Sequence, residues 1–384
     1  MGILDDIWFW LASGSTFSWL VILMQPWQGW RNKETLDVTM NQNATPIDLT
    51  NLTVIIPARN ESEVIENTLT ALSYQGNGLN VIIVDDQSSD NTANIIRNTH
   101  TSNLKIKLIQ GSELPPSWAG KMWALEQALS MVKTDLVLLL DADIQLRSGM
   151  IAELLQKRLD TGARLVSVMA ELRMSSKWEK LLMPAFIFFF KQLYPFQLSN
   201  SKSRFVAAAA GGCILIDRVL LENIGGFKTI KNSIIDDCTL ASKAKQLGAL
   251  TWIGLTHSAV SIREYDTLST IWHMIERSAF TQLKYSILLL FLCTLIMCIA
   301  FWLPLISIAF GPTIITKLIG LIALFAMLSA YIPTLRYYKI KASWSLAMPI
   351  IGTIFIAITW SSAIQYWAGK RSNWKGRTYS RTNL

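Results

Sequence analysis

Four long apolar runs constrain this chain more than any other feature of its sequence. They cover residues 7–30, 285–310, 314–331 and 343–368, and only the third contains a charged residue, Lys317. About 20 apolar residues are needed to cross the roughly 30 Å hydrocarbon core of a bilayer. A single run could be a buried core helix, but three of them near the C-terminus favour membrane spans. The pattern therefore predicts an N-terminal anchor within residues 1–30 and further transmembrane segments within residues 285–369.

The charged residues are few and unevenly placed. They make up 16% of the chain, whereas soluble domains usually carry about 25%. The net charge of +8 suits either a nucleic-acid-binding protein or a membrane protein with basic cytoplasmic segments. Many basic residues stand beside the apolar runs, which favours the membrane and predicts no nucleic-acid partner. These are Arg31, Lys33, Arg336, Lys339, Lys341, Lys370, Arg371, Lys375, Arg377 and Arg381.

The charges around the first run predict which side of the membrane the middle of the chain faces. Asp5 and Asp6 precede this run and basic residues follow it, which indicates a retained anchor and places residues 31–284 in the cytoplasm. Three further crossings would put the basic tail, residues 370–384, outside. We therefore favour a cytoplasmic tail with two full crossings among the three C-terminal runs. Residues 178–196 are predicted to form a helix in the membrane interface or in a buried core.

A linker at 31–51 leads into a soluble domain at 52–284 in which strand and helix patterns alternate. Such alternation is typical of right-handed βαβ units and predicts an α/β fold with a largely parallel sheet. Ligands of such sheets bind at the carboxyl ends of the strands, where polar residues collect in this sequence. We predict strands at 52–57, 80–84, 104–109, 136–140 and 164–169, and helices at 61–73, 92–99, 121–131 and 150–159.

Two acidic pairs directly follow predicted strands. Asp141 and Asp143 are separated by one residue, which places two hard oxygen ligands on one side of an extended segment. Such ligands suit Mg²⁺ or Mn²⁺ bound together with substrate phosphates. Asp85 and Asp86 follow another strand, where their carboxylates could accept hydrogen bonds from a nucleobase or a ribose.

Three further segments have either a chemical or a plain structural interpretation. Lys121 stands at the start of a helix, against the helix dipole, which favours a bound diphosphate over an exposed loop lysine. The adjacent Asp236 and Asp237 could raise one pKa and supply a general base, or Asp236 could cap the helix that follows. Gly211 and Gly212 allow either a substrate to approach the backbone or tight packing.

In this order, the motifs resemble those of membrane-bound family 2 glycosyltransferases of the GT-A fold. The resemblance covers roughly residues 52–280 and depends on Val54-Ile55-Ile56-Pro57-Ala58-Arg59-Asn60-Glu61, Val84-Asp85-Asp86, Asp141-Ala142-Asp143 and Asp236-Asp237. Other segments look like a branch associated with hopanoids and carotenoids. These are Trp118-Ala119-Gly120-Lys121, Ile235-Asp236-Asp237-Cys238, RSAFTQL at 277–283 and Trp374-Lys375-Gly376-Arg377.

The resemblance implies a Rossmann-like, mixed but largely parallel sheet and an inverting enzyme of the bacterial cytoplasmic (inner) membrane. It implies a nucleotide-diphosphate sugar as donor, Mg²⁺ or Mn²⁺ as cofactor and an isoprenoid-like or hopanoid-like lipid as acceptor. The implied roles are catalysis by Asp237 with Asp236, metal binding by Asp141 and Asp143, and donor binding by Pro57, Arg59, Asn60, Glu61, Asp85, Asp86, Lys121, Asp141 and Asp143. Acceptor contacts fall to Gly211, Gly212 and Arg277, although the Trp of the family's acceptor motif is missing beside Arg277.

Two other functions fit parts of the sequence. A processive polysaccharide synthase shares this fold, but four apolar runs are few for the channel that it needs. A non-catalytic membrane scaffold or transporter would place charges inside its spans, whereas the carboxylates of this chain lie in its soluble part.

Overall fold

A computed structural model of the chain describes residues 3–39, 47–99, 101–374 and 377–380. Of the predicted basic tail, Lys375, Gly376 and Arg381 lie outside the described residues, and only the backbone is described for Lys370, Arg371 and Arg377. The chain divides into two compact units. A helical unit comprises Met1–Lys33, Met174–Pro195 and Tyr265–Lys370, and an α/β unit comprises Glu34–Arg173, Phe196–Glu264 and Arg371–Leu384.

The α/β unit is built on one mixed sheet, whose strand order is β3-β2-β1-β4-β7-β6-β8-β5. The β1–β2, β2–β3, β1–β4 and β6–β8 pairs are parallel, whereas β7 is antiparallel to both of its neighbours and β5 is antiparallel to β8. The strands are β1 (Leu52–Ala58), β2 (Leu79–Asp85), β3 (Leu104–Gln110), β4 (Leu136–Leu140), β5 (Ile144–Leu146), β6 (Leu165–Glu171), β7 (Cys213–Asp217) and β8 (Thr251–Ser261). A separate two-stranded sheet contains β9 (Lys370–Trp374) and β10 (Arg377–Ser380).

Helices cover the faces of the sheet, and other helices form the helical unit. In chain order they are α1 (Ile3–Met24), α2 (Ile65–Ser73), α3 (Thr92–Asn98), α4 (Gly120–Leu129), α5 (Met150–Thr161), α6 (Lys177–Leu193), α7 (Phe196–Ser199), α8 (Arg218–Ile224), α9 (Asp236–Gln246), α10 (Leu268–Gln282), α11 (Ile287–Phe310), α12 (Ile314–Tyr337) and α13 (Met348–Trp367). Because helices cover both faces of the central strands, every residue of β1 is buried.

The predicted α/β class with a mixed, largely parallel sheet is confirmed, and every predicted strand and helix is present with small shifts at its ends. The largest shift is at α2, which begins at Ile65 instead of residue 61. Asn60 adopts a left-handed φ of 51°, so the chain turns before the helix starts. Residues of the predicted linker also pair with β8, where the Leu36 N–H donates to the Leu255 carbonyl oxygen at 2.9 Å.

Four helices of the helical unit are long and apolar enough to cross a membrane, namely α1, α11, α12 and the segment Ala342–Trp367 that contains α13. They pack closely at small residues and are joined by side-chain hydrogen bonds. Trp19 Nε1 donates to the Ala300 carbonyl oxygen at 2.7 Å, and a Cβ on Gly320 would stand 2.8 Å from the Cβ of Ser307. Such close approach of helices is typical of packing inside membranes. The number of full crossings among the three C-terminal helices stays a prediction.

The segment predicted to be an interfacial or a buried helix is α6. A capping box formed by Ser176 and Glu179 fixes its start. Leu182, Phe188 and Lys191 are buried inside the helical unit, and Lys191 Nζ donates to the side-chain oxygen of Asn32. Whether this helix also lies in the membrane interface stays a prediction.

Candidate active site

The predicted site residues of the α/β unit gather where three neighbouring strands end. β2, β1 and β4 are parallel and adjacent, so their carboxyl ends lie along one edge of the sheet. The residues at these ends include Arg59, Asp86 and Asp141, of which the first and the last are 82 positions apart in the sequence. Parallel pairing therefore brings together polar groups that are distant in sequence.

Lys121 is the centre of one group of charges, which we call the Lys121 cluster (Lys121, Asp141, Asp236 and Asp237). Its Nζ lies 2.8 Å from Asp141 Oδ1 and 3.7 Å from Asp236 Oδ2. Burial alone would lower the pKa of Lys121, but Asp141 and Asp236 raise it above its usual value. Burial raises the pKa of Asp141, against the lowering effect of Lys121. Lys121 is therefore a permanent positive charge among three carboxyl groups.

Asp237 is held beside this lysine by two backbone N–H groups. Its Oδ2 accepts a hydrogen bond from the Gly211 N–H at 2.8 Å, and its Oδ1 accepts one from the Cys238 N–H at 2.7 Å. Burial, and then the neighbouring charge of Asp236, raise the pKa of Asp237 to about 6. A carboxylate with such a pKa is ionised at neutral pH and is basic enough to accept a proton.

The alternative prediction, that Asp236 caps the helix after it, is wrong. α9 begins at Asp236 itself, its N-cap residue is Ile235, and no described side chain caps it. Asp236 instead faces Lys121. The reason is electrostatic, because an ammonium group attracts a carboxylate more strongly than a neutral backbone N–H does.

The two predicted acceptor glycines differ in what surrounds them. A Cβ on Gly211 would stand 3.3 Å from Asp237 Oδ2 and 3.4 Å from Lys121 Nζ, so this glycine lets the backbone approach the Lys121 cluster. A Cβ on Gly212 would meet only the side chain of Ile144, at 3.2 Å. Gly212 therefore supports the packing interpretation, and Gly211 the chemical one.

A second group of charges, which the sequence did not predict, surrounds Asp143. We call it the Arg263 cluster (Arg263, Glu61, Asp143 and Ser261). Arg263 Nη2 donates to Glu61 Oε1 and Oε2 at 2.8 and 2.9 Å and to Asp143 Oδ1 at 3.2 Å, and Ser261 Oγ donates to Asp143 Oδ2 at 2.6 Å. Sequence reasoning missed Arg263 and Ser261 because β8 was not predicted. The available signal was a serine and an arginine at the end of a segment rich in β-branched and aromatic residues.

Arg59 and Asn60 shape the loop that follows β2. Arg59 Nη1 donates to the backbone oxygens of Asp86 and Gln87, and Asn60 Oδ1 accepts a hydrogen bond from the Ser89 N–H at 2.8 Å. Asn60 and Gln87 have left-handed φ values of 51° and 56°, which are uncommon outside glycine and occur often at functional loops.

The two carboxylates at the end of β2 are both buried. Asp85 supports the loop, since Oδ1 accepts from the Ser88 N–H and Oδ2 from Gln110 Nε2, both at 3.1 Å. Asp86 Oδ2 lies 3.9 Å from Arg59 Nη1. The role of this pair toward a nucleoside stays a prediction.

The remaining predicted residues lie in different parts of the chain. Pro57 is in the buried strand β1 and lines a small cleft together with Lys121, Gly211 and Asp237. Arg277 lies on α10 in the helical unit, with an exposed side chain. Its predicted contact with an acceptor stays a prediction.

The carboxylate oxygens at the strand ends suit a divalent cation whose remaining ligands come from the substrate's phosphates. Within the described residues, no group of three or more His, Cys, Asp or Glu side chains could hold a metal ion. Mg²⁺, however, is usually held by one or two carboxylates and by the substrate's phosphates. Asp141 and Asp143 are close enough for Asp143 to raise the pKa of Asp141. A cation between them would relieve this repulsion.

Comparisons with known proteins agree with this geometry. Residues 50–279 match the family described as glycosyltransferase like family 2. The chain is 33% identical over 97 residues to the 4,4'-diaponeurosporenoate glycosyltransferase of Staphylococcus haemolyticus, which is 25% of each protein. It is 26% identical over 233 residues to the beta-monoglucosyldiacylglycerol synthase of Trichormus variabilis, which is 59% of this chain and 48% of that protein. The chain thus spans between a quarter and a half of these relatives.

Among solved structures, the chain resembles the mannosyltransferase PcManGT from Pyrobaculum calidifontis, which was solved in complex with GDP-Man and Mn²⁺. The TM-score is 0.53 at 18% identity, covering 95% of this chain and 99% of that one, so this likeness concerns the fold alone. The family match covers more than half of the chain and includes the sheet, the Lys121 cluster and the Arg263 cluster. The chain therefore belongs to the glycosyltransferase like family 2 and has a GT-A-like fold.

Proposed function

We propose that the protein is an inverting glycosyltransferase that moves a sugar from a nucleotide-diphosphate sugar to a hydroxyl group of an isoprenoid-like or hopanoid-like lipid. The observation that carries this proposal is Asp237, a half-buried carboxylate with a raised pKa that lies beside the Lys121 charge at the carboxyl edge of the sheet. This pairing offers a base for an acceptor hydroxyl next to a cation for a leaving diphosphate.

The reaction follows from these two groups. The acceptor's hydroxyl oxygen attacks the anomeric carbon while Asp237 accepts the hydroxyl proton, and the bond from the anomeric carbon to the diphosphate oxygen breaks. The diphosphate leaves with the bonding electron pair, and the positive charge of Lys121 offsets the negative charge that develops on it. A single displacement of this kind inverts the configuration of the anomeric carbon.

Asp141 and Asp143 would hold Mg²⁺ or Mn²⁺ together with the donor's diphosphate. When bound, the ion supplies further positive charge for the leaving group. Arg263 and Ser261 fix the orientation of Asp143 from the other side. A carboxylate has about four lone-pair sites, so these two hydrogen bonds leave capacity for a cation.

Arg59, Asn60, Asp85 and Asp86 would form the nucleoside side of the donor pocket. Their hydrogen bonds to one another and to the N–H groups of Ser88 and Ser89 fix the loop after β2 before any donor arrives. A preformed loop lowers the entropic cost of ordering the pocket on donor binding.

A lipid acceptor is supported by the helices of membrane length and by the names of two curated relatives, a 4,4'-diaponeurosporenoate glycosyltransferase and a beta-monoglucosyldiacylglycerol synthase. We propose that residues 1–30 are an anchor, that 31–51 link it to a cytoplasmic catalytic domain at 52–284, and that 285–369 hold the C-terminal spans. The membrane would be the bacterial cytoplasmic membrane.

The reaction is tested with full-length protein in phospholipid nanodiscs, given radiolabelled nucleotide sugars one at a time together with a bacterial lipid extract. We expect one sugar to appear on an organic-extractable lipid, with inverted anomeric configuration by NMR. Water-soluble polymeric product would instead identify a processive synthase, and no transfer from any donor would contradict the proposal. The topology is tested with a cysteine at Asn94, which impermeant reagents should label only after cell lysis.

A further inference from the structure

One aromatic side chain of the α/β unit is almost completely exposed to solvent. Phe205 is 99% exposed, whereas Tyr74 and Leu159 of the same unit are 67% and 68% exposed. By contrast, Phe227 of the same unit is 1% exposed. A phenylalanine with no apolar cover is unusual, because its large ring contributes to stability chiefly through burial.

The exposure of Phe205 does not come from a loose segment, because a buried ammonium group holds the surrounding loop. We call residues 198–206 the Lys245 loop. Lys245, on α9, is 3% exposed, and its Nζ lies within 2.7–3.4 Å of four backbone carbonyl oxygens of this loop. The carbonyls belong to Leu198, Ser201, Ser203 and Val206.

Further hydrogen bonds fix the ends of the Lys245 loop. Asn200 Nδ2 donates to the Ile253 carbonyl oxygen at 2.9 Å, and its Oδ1 accepts from the Ile253 N–H at 2.7 Å. The Phe205 N–H donates to Ser203 Oγ at 3.3 Å. Burying a charge to hold a loop is costly unless the charge is well paired. The fold therefore maintains the loop in one shape, and that shape presents Phe205 outward.

The charges next to Phe205 have one sign. Lys202 and Arg204 are both exposed. No acidic residue occurs between Glu179 and Asp217 in the sequence, so nothing acidic within this stretch neutralises them. A phenylalanine flanked by basic side chains matches the boundary of an anionic bilayer, where the ring enters the headgroup region and the cations meet lipid phosphates.

The Lys245 loop also continues directly into the candidate active site. Val206 ends the loop, and Gly211, five residues later, donates its N–H to Asp237. α9 contributes to both places, because it carries Asp237 in its first turn and Lys245 near its end. The loop that would bind a surface is therefore close in sequence to the groups proposed to receive an acceptor.

We propose that the Lys245 loop docks on the surface of an anionic bilayer, with Phe205 inserted at the boundary of headgroups and acyl chains and with Lys202 and Arg204 on lipid phosphates. A membrane is the occupant to which we commit because the same chain carries four helices of membrane length. The docking needs neither sugar donor nor acceptor, so it is independent of the proposed reaction.

The test places an environment-sensitive NBD fluorophore on a Phe205→Cys variant of the full-length protein. Cys293 and Cys298, on α11, are first replaced by alanine, while Cys213 and Cys238 are buried. The protein is reconstituted in nanodiscs of phosphatidylcholine with phosphatidylglycerol, with and without nitroxide-labelled lipid. We expect a blue-shifted emission that the nitroxide lipid quenches. The matched control is Ser102→Cys, an exposed position just before β3 at the other end of the sheet order, which should show neither effect.

Two outcomes would overturn the proposal. The first is an NBD label at position 205 that remains water-exposed and unquenched, as at position 102. The second concerns the charges. The part assigned to anionic lipid would be contradicted if insertion were equal in pure phosphatidylcholine and in anionic nanodiscs and if the double substitution Lys202→Gln and Arg204→Gln left it unchanged. Absence of sugar transfer from every nucleotide sugar in the wild-type protein, with insertion at position 205 intact, would count against the proposed reaction alone.

Discussion

The Lys121 cluster and the Arg263 cluster use the same ingredients, a cation among carboxylates, but in different ways. Arg263 donates to three carboxylate oxygens, and Ser261 donates to a fourth, so that cluster is almost fully paired. The single charge of Lys121 serves three carboxyl groups, and Asp237 keeps a pKa of about 6. The difference teaches that full pairing fixes geometry, whereas incomplete pairing leaves a group that can accept a proton.

Removal of the divalent cation should have the largest effect, because it acts on both clusters through Asp141 and Asp143. We expect excess EDTA to abolish transfer and Mn²⁺ or Mg²⁺ to restore it, and we expect Asp143→Asn to bind the donor poorly. Nucleotide-sugar affinity by calorimetry, with and without the ion, separates binding from turnover. Full transfer in excess EDTA would refute the metal role.

Replacing the side chains of Lys121 and Arg263 by neutral ones should show most clearly whether the two clusters differ. Lys121→Gln removes a charge that stabilises the leaving group and should lower turnover by about 10²-fold, with a smaller loss of stability than Arg263→Gln because its carboxyl partners are more exposed. Arg263→Gln leaves the buried Glu61 and Asp143 without their cation and should cost about 3 kcal/mol of stability. Turnover and thermal unfolding are measured on both variants. The same pattern of losses in both would show that the clusters do not differ as described.

The two glycines allow a finer comparison within the same loop. Gly211→Ala would put a Cβ 3.3 Å from Asp237 Oδ2, so we expect turnover to fall by about tenfold, or about 1.4 kcal/mol of barrier. Gly212→Ala, whose Cβ would meet only the apolar Ile144 side chain and no charged group, is the matched control and should keep turnover within about threefold. Equal losses in the two variants would count against a special place for Gly211.

Asp236→Asn should have the smallest effect on the rate at neutral pH. The charge of Asp236 raises the pKa of Asp237, so its removal should lower that pKa. The acid limb of the pH–rate profile should therefore move to lower pH, while turnover at pH 7 changes little. A profile that keeps the wild-type acid limb would show that the two carboxylates are not coupled.

Much of the fold was predictable because the parallel half of the sheet has strong local patterns. β1, β2 and β4 are largely apolar segments followed by polar residues, so their identity and the placement of Asp85, Asp86 and Asp141 at strand ends could be predicted. β7 and β8 were missed because their antiparallel and long-range partners are not encoded in neighbouring residues. Arg263 was missed with them, since its role depends on where β8 ends.

The site was predicted in its residue types but less well in their partners. The sequence pattern offered two uses for Asp236, and only the three-dimensional position of Lys121 decides between them. The Lys245 loop shows the same limit, because a lysine in the last turn of a helix gives no sign that four carbonyl oxygens surround its Nζ.

The pH dependence of single-turnover transfer, compared between the wild type and Asp237→Asn, tests the central claim most directly. Asparagine keeps the size of aspartate and can accept one of its two backbone hydrogen bonds, but it removes the basicity. Since the base must be deprotonated, the wild-type rate should rise with pH through a midpoint of about 6 and then level off. The Asp237→Asn variant should bind the donor normally, turn over about 10²-fold more slowly and lose this pH dependence. A variant that keeps wild-type turnover, or one that retains the same acid limb, would contradict the assignment of Asp237 as the base.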